Sequence, residues 1–146
     1  MAAGFSIKTE NIEIFSKKIN YLSKKLLTNG ILQKSLSIDC NLDFSMIDFN
    51  LLKEISLFDP TGMGNREPVF VTCRVSLLDV RFVGKENKHL KLKLKQDEHI
   101  FDSIYFGGGE MYSKLSPGSD VDIVYTIESN TWNGYKNLQL KIKDIR

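Results

Sequence analysis

The chain has 146 residues, of which 42% are hydrophobic and 26% are charged, a composition typical of a globular protein of one domain or two small ones. Its net charge of +2 is too small to predict a polyanionic partner, so that prediction depends on where the charges lie. There is no signal-peptide pattern and no apolar run near the roughly 20 residues of a membrane span, so a cytoplasmic protein without membrane contact is predicted, with Cys40 and Cys73 as free thiols.

The first predicted elements are a short strand ending near Ile7 and a long helix after it. Apolar residues at positions 12, 15, 19, 22 and 26 are spaced by three or four and form one stripe. Thr9 or Asn11 can cap the helix, and Asn29-Gly30 is a stop signal. The lysines on its later turns are interpreted as a solvated face rather than a phosphate site.

The next stretch predicts a second strand and a second helix. Leu36, Ile38, Cys40 and Leu42 alternate with polar residues, as in a strand with one buried face. A helix is predicted from about Asp48 to Leu57, with Asp48 as its cap. Residues 1–58 are therefore predicted to form a small α/β segment, which is too small to be stable without a partner surface.

A shaped loop is predicted at residues 59–69 as the boundary between two unlike halves. It holds Pro60, Pro68, Gly62 and Gly64, which together exclude any regular element. The alternative is a plain linker, which is usually polar. The apolar residues Phe58, Met63, Val69 and Phe70 favour a packed loop.

Residues 70–146 carry five strand patterns, with a short helix between the third and the fourth. The first pattern changes its inward parity near Leu77-Leu78, which predicts a bulge. The order β-β-β-α-β-β is that of the OB-fold, a five-stranded Greek-key barrel. The predicted fold class is therefore α+β: a partial α/β segment followed by an OB-fold. The predicted strands are Phe70–Val83, His89–Lys95, about Ile100–Phe106, 121–127 and 138–142.

Basic and aromatic residues coincide where such barrels bind oligonucleotides, on strands two and three and the loops beside them. Cations meet phosphates there, and rings stack on bases. Lysines that alternate with leucines are also typical of the solvent-exposed face of any soluble barrel. A protein-interaction barrel and a purely structural barrel therefore stay open as alternatives. The predicted DNA-binding residues are Arg81, Lys85, Lys88, Lys91, Lys93, Tyr105, Trp132, Tyr135 and Lys136, with Gly62, Gly64, Asn65 and Arg66 near the DNA.

Catalytic patterns are weak throughout the sequence. The two histidines, His89 and His99, lack the spacing of a zinc or dinuclear metal site. The run Gly107-Gly108-Gly109 does not match a P-loop. We therefore predict no enzyme activity, no metal and no cofactor for this stretch of chain.

The ordered motifs resemble those of the C-terminal part of the RecJ family, bacterial single-strand-specific exonucleases of the DHH/DHHA1 superfamily. The run from Ala2 to Ser6 resembles the tail of a Gly-Gly-His-x-x-Ala-Ala-Gly motif, and the run from Phe58 to Phe70 resembles a Pro-Phe-Gly-x-Gly-Asn-Pro-Glu-Pro-x-Phe segment, with Arg66 where proline is frequent. The barrel half matches at Val83-Gly84-Lys85, His89-Leu90-Lys91-Leu92, Phe106-Gly107, Trp132-Asn133-Gly134 and Leu138-Gln139-Leu140.

The resemblance implies a fragment: the end of a DHHA1 domain followed by an OB domain. The family's nuclease degrades single-stranded DNA from the 5′ end in repair and recombination, with Mn²⁺ or Mg²⁺ held by Asp and His residues of a DHH domain that this sequence lacks. The expected function is single-stranded DNA binding without catalysis. The alternative is a module that docks on a single-strand-binding protein or a helicase, and self-association through residues 1–58 is a further expectation.

Overall fold

The computed structural model describes residues 4–27, 35–132 and 134–146, with the backbone alone for Trp132. The chain forms two compact units, Met1–Leu36 and Ser37–Arg146. The boundary predicted at residue 58 does not coincide with this division. Residues 37–58 belong to the second unit because they pair with its sheet and fill its core.

The first unit contains helix α1, Ile12–Leu26, as the apolar spacing predicts. Asn11 precedes the helix, although its side chain makes no capping hydrogen bond. The strand predicted near Ile7 is wrong for the described residues 4–8, which are irregular. The stripe of α1 is largely exposed at Ile12, Ile19, Leu22 and Leu26, so self-association through this part of the chain stays a prediction.

The second unit is a closed barrel of five strands with one added edge strand. Strand order is β1-β2-β3-β4-β6-β5, and β2 pairs again with β5 to close the barrel. All barrel pairings are antiparallel except β4 with β6, which is parallel. This is the predicted OB-fold. The strands are β1 Cys40–Asn41, β2 Phe70–Val83, β3 His89–Gln96, β4 His99–Tyr105, β5 Asp120–Trp132 and β6 Tyr135–Ile145, with a 3-10 helix at Gly108–Lys114 before β5.

Residues 40–56 close one end of the barrel. Strand β1 pairs in parallel with the start of β2, opposite Phe70 and Val71. The Phe44 ring is fully buried between Phe101 and Tyr125, and its backbone N–H donates to Oε1 of Gln96 at 2.7 Å. Helix α2, Phe49–Ser56, then packs against β5. Its cap is the predicted one, since Oδ1 of Asp48 accepts from the N–H of Leu51 at 2.7 Å.

The strand predicted from Leu36 to Leu42 is shorter and less buried than its alternation indicates. Only Leu42 reaches the core, while Ile38 and Cys40 are exposed. The reason is that β1 lies at the sheet edge beside β2, where alternation places side chains on two solvated sides. The unit therefore adds one edge strand to the barrel instead of building a separate α/β sheet.

Alternation predicts that Val71, Cys73, Val75 and Leu77 share the inward face of β2, but the observed face differs because β2 has two irregularities. The expected one lies between Leu77 and Asp79, against β3. The other lies between Thr72 and Val75, against β5, where Arg74 has φ of 53°. This unforeseen shift makes Thr72 and Val75 buried and leaves Cys73 exposed as a free thiol.

The loop before β2 is shaped by one asparagine rather than by apolar anchors. Nδ2 of Asn65 donates to the carbonyl oxygens of Phe58 at 2.7 Å and Pro60 at 3.1 Å. Gly62 and Asn65 also bond to each other through their backbones. Phe58 and Met63 are exposed, so the prediction that they anchor the loop is wrong.

Tyr125 is the largest fully buried side chain of the core. Its hydroxyl lies 2.9 Å from Oγ1 of Thr72, which also contacts the carbonyl oxygen of Leu42 at 2.5 Å. Burial raises the pKa of Tyr125 from 10.0 to about 12, although the bond to Thr72 acts in the lowering direction. Since only the unfolded chain ionises this group near pH 10, its contribution to stability is complete below pH 10 and is lost as the pH rises toward about 12.

Comparing the stability of the unmodified protein with that of Tyr125→Phe across this pH range tests the raised pKa of Tyr125. The difference in free energy of unfolding between the two proteins is expected to narrow above pH 10, by up to about 1.4 kcal/mol per pH unit. Urea unfolding from pH 8 to 11.5 measures this difference directly. A difference that stays constant across the range would show that Tyr125 ionises as readily in the folded state as in the unfolded chain.

Candidate nucleic-acid interface

A continuous surface of outward side chains covers four neighbouring strands, β2, β3, β4 and β6. These side chains alternate with the buried residues Val80, Leu92, Ser103 and Leu140, which point into the barrel. We call this surface the outer face; its side chains are Asp79, Arg81, Lys91, Lys93, Lys95, Ile100, Asp102, Ile104, Gln139 and Lys141.

Strand register places three cations of the outer face in one row. Arg81 of β2 lies opposite Lys91 of β3, Lys91 opposite Ile104 of β4, and Ile104 beside Lys141 of β6. The row runs across the strands, with a half-buried isoleucine between two lysines. Arg81, Lys91 and Lys93 therefore lie together as predicted, and Lys141 joins them.

In the next row of the outer face, an aspartate lies on each side of Lys93. Lys93 lies opposite Asp79 on β2 and opposite Asp102 on β4, and Asp102 lies beside Gln139 on β6. Nζ of Lys91 lies 3.2 Å from Oδ2 of Asp102. Asp79 and Asp102 therefore offset part of the positive charge of these lysines, in addition to Glu86. The linear sequence does not reveal that the two aspartates lie beside the lysines.

The turn between β2 and β3 carries Lys85 and Lys88 at one end of the outer face. Nζ of Lys88 lies 2.5 Å from Oε2 of Glu86, in an exposed pair. The turn is held by a backbone bond from Gly109 N–H to the Lys88 carbonyl oxygen at 3.1 Å. A side chain at Gly109 would collide with backbone atoms of this turn, so glycine is required for the close approach.

Phe106 is a functional candidate that the sequence analysis missed. It directly follows β4 and is 54% exposed. Its ring centroid lies 5.2 Å from that of His89, and Nζ of Lys141 lies 5.7 Å from the ring centre. Nδ1 of His89 accepts from the N–H of Gly107 at 3.0 Å, so the ring stands beside a fixed turn. An apolar residue at a strand end before three glycines is the signal that could have identified it.

Tyr105, by contrast, does not belong to the outer face. It lies opposite Leu90 on the inward side of β4 and packs against the core. A side chain at Gly108 would collide with its ring. Burial, and secondarily the charge of Asp144, raises the pKa of Tyr105. Tyr105 is one of the predicted DNA-binding residues, but its inward position does not place it among the side chains of the outer face.

The hairpin between β5 and β6 lies at the opposite end of the outer face from Lys85 and Lys88. Strand β6 runs parallel to β4 with Gln139 beside Asp102, so residues 135–138 extend toward the beginning of β4. Tyr135 and Lys136 are exposed there. Strand β5 extends to Trp132, which pairs with Tyr135, so most of the stretch between the strand patterns predicted at 121–127 and 138–142 is strand. The side chain of Trp132, a predicted DNA-binding residue, lies outside the described part of the structure.

Other predicted site residues lie in the loop before β2. Arg66 and the two glycines, Gly62 and Gly64, are exposed. The only ion pair that joins this loop to β6, among the described residues, is that of Glu67 with Lys143 at 3.9 Å. A role for Gly62, Gly64, Asn65 and Arg66 near DNA stays a prediction.

Within the described ranges, no three or more His, Cys, Asp or Glu side chains come together as a possible metal site. The helices described there include none long and apolar enough to cross a membrane.

A family model, described as the RecJ OB domain, matches residues 38–144. The chain belongs to the RecJ OB domain family. The match begins one residue after the start of the second compact unit, so the family domain includes β1, Phe44 and α2 as well as the barrel strands.

Two curated relatives are single-stranded-DNA-specific exonucleases RecJ. The one from Bacillus subtilis is 29% identical over 144 residues, which is 99% of this chain and 18% of the relative. The one from Salmonella typhimurium is 26% identical over 99% of this chain and 25% of its own length. The chain thus spans a quarter or less of these relatives.

Two solved structures support the fold. RecJ from Thermus thermophilus, in complex with Mn²⁺, matches 98% of this chain and 20% of its own, with a TM-score of 0.77 and 20% identity. An asparaginyl-tRNA synthetase from Entamoeba histolytica matches 75% of this chain and 23% of its own, with a TM-score of 0.51 and 11% identity. At these identities the likeness shows a shared fold alone.

Proposed function

We propose that this chain is the single-stranded-DNA-binding module of a RecJ-like 5′-to-3′ exonuclease that acts in bacterial DNA repair and recombination. The observation that carries the proposal is the outer face, where a cationic row lies next to an exposed aromatic ring on the strands that OB-folds use for oligonucleotides. The relatives named as single-stranded-DNA-specific exonucleases support the choice of ligand.

The chemistry of the outer face suits a flexible single strand. Arg81, Lys91 and Lys141 supply positive charge for phosphates, and Phe106 supplies a face on which a base can stack. Strand β3 has eight residues, so the face is about 25 Å long between the Lys88 turn and the Tyr135 hairpin. That length accommodates several nucleotides, in keeping with sites of about 4–16 nucleotides per OB-fold.

Hydrolysis is not assigned to this chain in our proposal. A nuclease that uses two metal ions needs a cluster of carboxylates and histidines that holds the ions about 4 Å apart, and the resemblance places those ligands, with Mn²⁺ or Mg²⁺, in a DHH domain. The module would then hold the DNA strand for a catalytic domain, in the cytoplasm. Docking on a single-strand-binding protein or a helicase is the alternative to this proposal.

Replacing Lys91 and Lys93 together with alanine is expected to weaken binding to a single-stranded oligonucleotide and to flatten its salt dependence. Each phosphate contact on a single strand contributes about −0.7 to the slope of log K against log salt concentration. If both lysines contact phosphate, the slope should become less negative by about 1.4. Fluorescence anisotropy with a labelled oligonucleotide, in a series from low to physiological salt, measures affinity and slope together.

The matched control is Lys17→Ala with Lys18→Ala, which removes the same charge from exposed positions on α1. The control is expected to bind with nearly unchanged affinity and slope. Equal losses in both double variants would indicate general attraction to the net charge instead of a site on the outer face. A folded protein that binds no oligonucleotide even at low salt would favour a protein-docking role.

A further inference from the structure

The outer face is divided into two chemically different tracks. Its β2–β3 side carries four cations, Arg81, Lys91, Lys93 and Lys95, and one carboxylate, Asp79. Its β4 side carries Ile100 and Ile104, which are apolar, and between them Asp102. Phe106 continues the β4 side beyond the end of the strand. One side is therefore suited to phosphates, and the other to bases.

Asp102 occupies the centre of the second track. Half of its side chain is exposed, at 50%, and its Oδ2 is paired with Nζ of Lys91 at 3.2 Å. Lys93 and Gln139 lie beside it on the neighbouring strands. A carboxylate repels phosphate, and Ile100 and Ile104 flank Asp102 with apolar surface, so the position over Asp102 suits a base better than a phosphate.

We propose that Asp102 is a specificity-determining residue, which accepts a hydrogen bond from the exocyclic amino group of a base and so favours cytosine over thymine. This inference rests on the proposed function. An ionised carboxylate is purely an acceptor. Cytosine offers the N4 amino group as a donor, whereas thymine presents O4, an acceptor, at the same position. The pair with Lys91 orients the carboxylate without covering its exposed half.

The test measures the binding of two labelled oligonucleotides, dC12 and dT12, by anisotropy. Four proteins are compared, each as the full chain: the unmodified protein, Asp102→Asn, Asp102→Glu and Asp79→Asn. The unmodified protein is expected to bind dC12 about fivefold or more tightly than dT12, the low end of discrimination by a base contact. Asp102→Asn should bring the ratio near one, because an amide can donate to thymine O4 as well as accept from cytosine N4. Asp102→Glu, which keeps the acceptor, should retain a preference for dC12.

The matched control is Asp79→Asn, since Asp79 lies opposite the same Lys93 but on the phosphate side. It removes one negative charge, so both oligonucleotides should bind more tightly while their ratio stays unchanged. If Asp102→Asn behaves in the same way, Asp102 acts through charge alone and the proposal is overturned. Equal binding of dC12 and dT12 by the unmodified protein also overturns it, with DNA binding itself intact. Binding to neither oligonucleotide would instead refute the proposed function.

Discussion

Phe44→Ala is expected to lower the free energy of unfolding of the barrel by about 3–5 kcal/mol, the usual cost of truncating a buried phenylalanine. The ring is fully buried and packs edge-on against Phe101 and Tyr125, at centroid distances of 5.1 and 6.4 Å. Its neighbours belong to β4 and β5 and are fixed by the barrel ladders, so the cavity cannot close easily. Urea unfolding followed by circular dichroism measures the loss.

Phe49→Ala is the control, because Phe49 lies five residues further along and is 48% exposed. Its expected cost is within about 1 kcal/mol, as for most surface substitutions. A small cost for Phe44→Ala, similar to that of Phe49→Ala, would mean that residues 40–56 rest on the barrel without contributing to its core.

Phe106→Ala is expected to weaken binding to single-stranded DNA by about 1–3 kcal/mol, the range for losing one base stacked on an aromatic ring. Since the ring is 54% exposed and packs edge-on against His89 outside the core, the variant should stay folded. Phe106→Tyr should preserve most of the affinity, because it keeps a flat ring over which a base can lie. Anisotropy titrations at one fixed salt concentration measure all three proteins.

Phe49→Ala again serves as the control, since it removes a similarly exposed ring from α2, which packs against β5 and away from the outer face. Equal affinity of the Phe106→Ala variant and the unmodified protein would remove Phe106 from the site. The binding surface would then have to be built around the lysines or around the hairpin that carries Tyr135.

The barrel could be predicted from the sequence because its strands obey local alternation. Leu90, Leu92 and Leu94 are all buried, as their period of two indicates. The bulge near Leu77 could be predicted for the same reason, since a change of parity is visible in the order of residues. The order of the patterns, with a helix between the third and fourth strands, indicated the OB-fold, and the family motifs agreed with it.

The packing of residues 40–56 over one end of the barrel could not be predicted from local alternation. Phe44 follows an alternating strand pattern and precedes a helix, so local rules give it no reason to enter the core of a barrel that begins 26 residues later, at Phe70. The exposure of Cys73 could not be predicted either, because the irregularity at Arg74 does not interrupt the alternation of apolar and polar residues in the sequence. Both errors come from contacts between distant parts of the chain.

The candidate site was predicted in part. The cations of β2 and β3 meet on one surface because cross-strand register follows from alternation, so Arg81 and Lys91 could be paired in advance. Asp102 and Lys141 reach the same surface only through the pairing of β4 with β3 and β6, which no local pattern fixes. Tyr105 was predicted as a DNA-binding residue, whereas its register with Leu90 turns it inward.

The most direct test of the outer face as the DNA-binding surface is to map backbone amide shifts by NMR while an oligonucleotide is added. The chain is uniformly labelled with ¹⁵N and titrated with dC12. We expect the largest shifts at Arg81, Lys91, Asp102, Ile104 and Phe106, with small shifts on α2. Shifts concentrated on α1 or α2, with the β3–β4 amides unmoved, would contradict the assignment of this face.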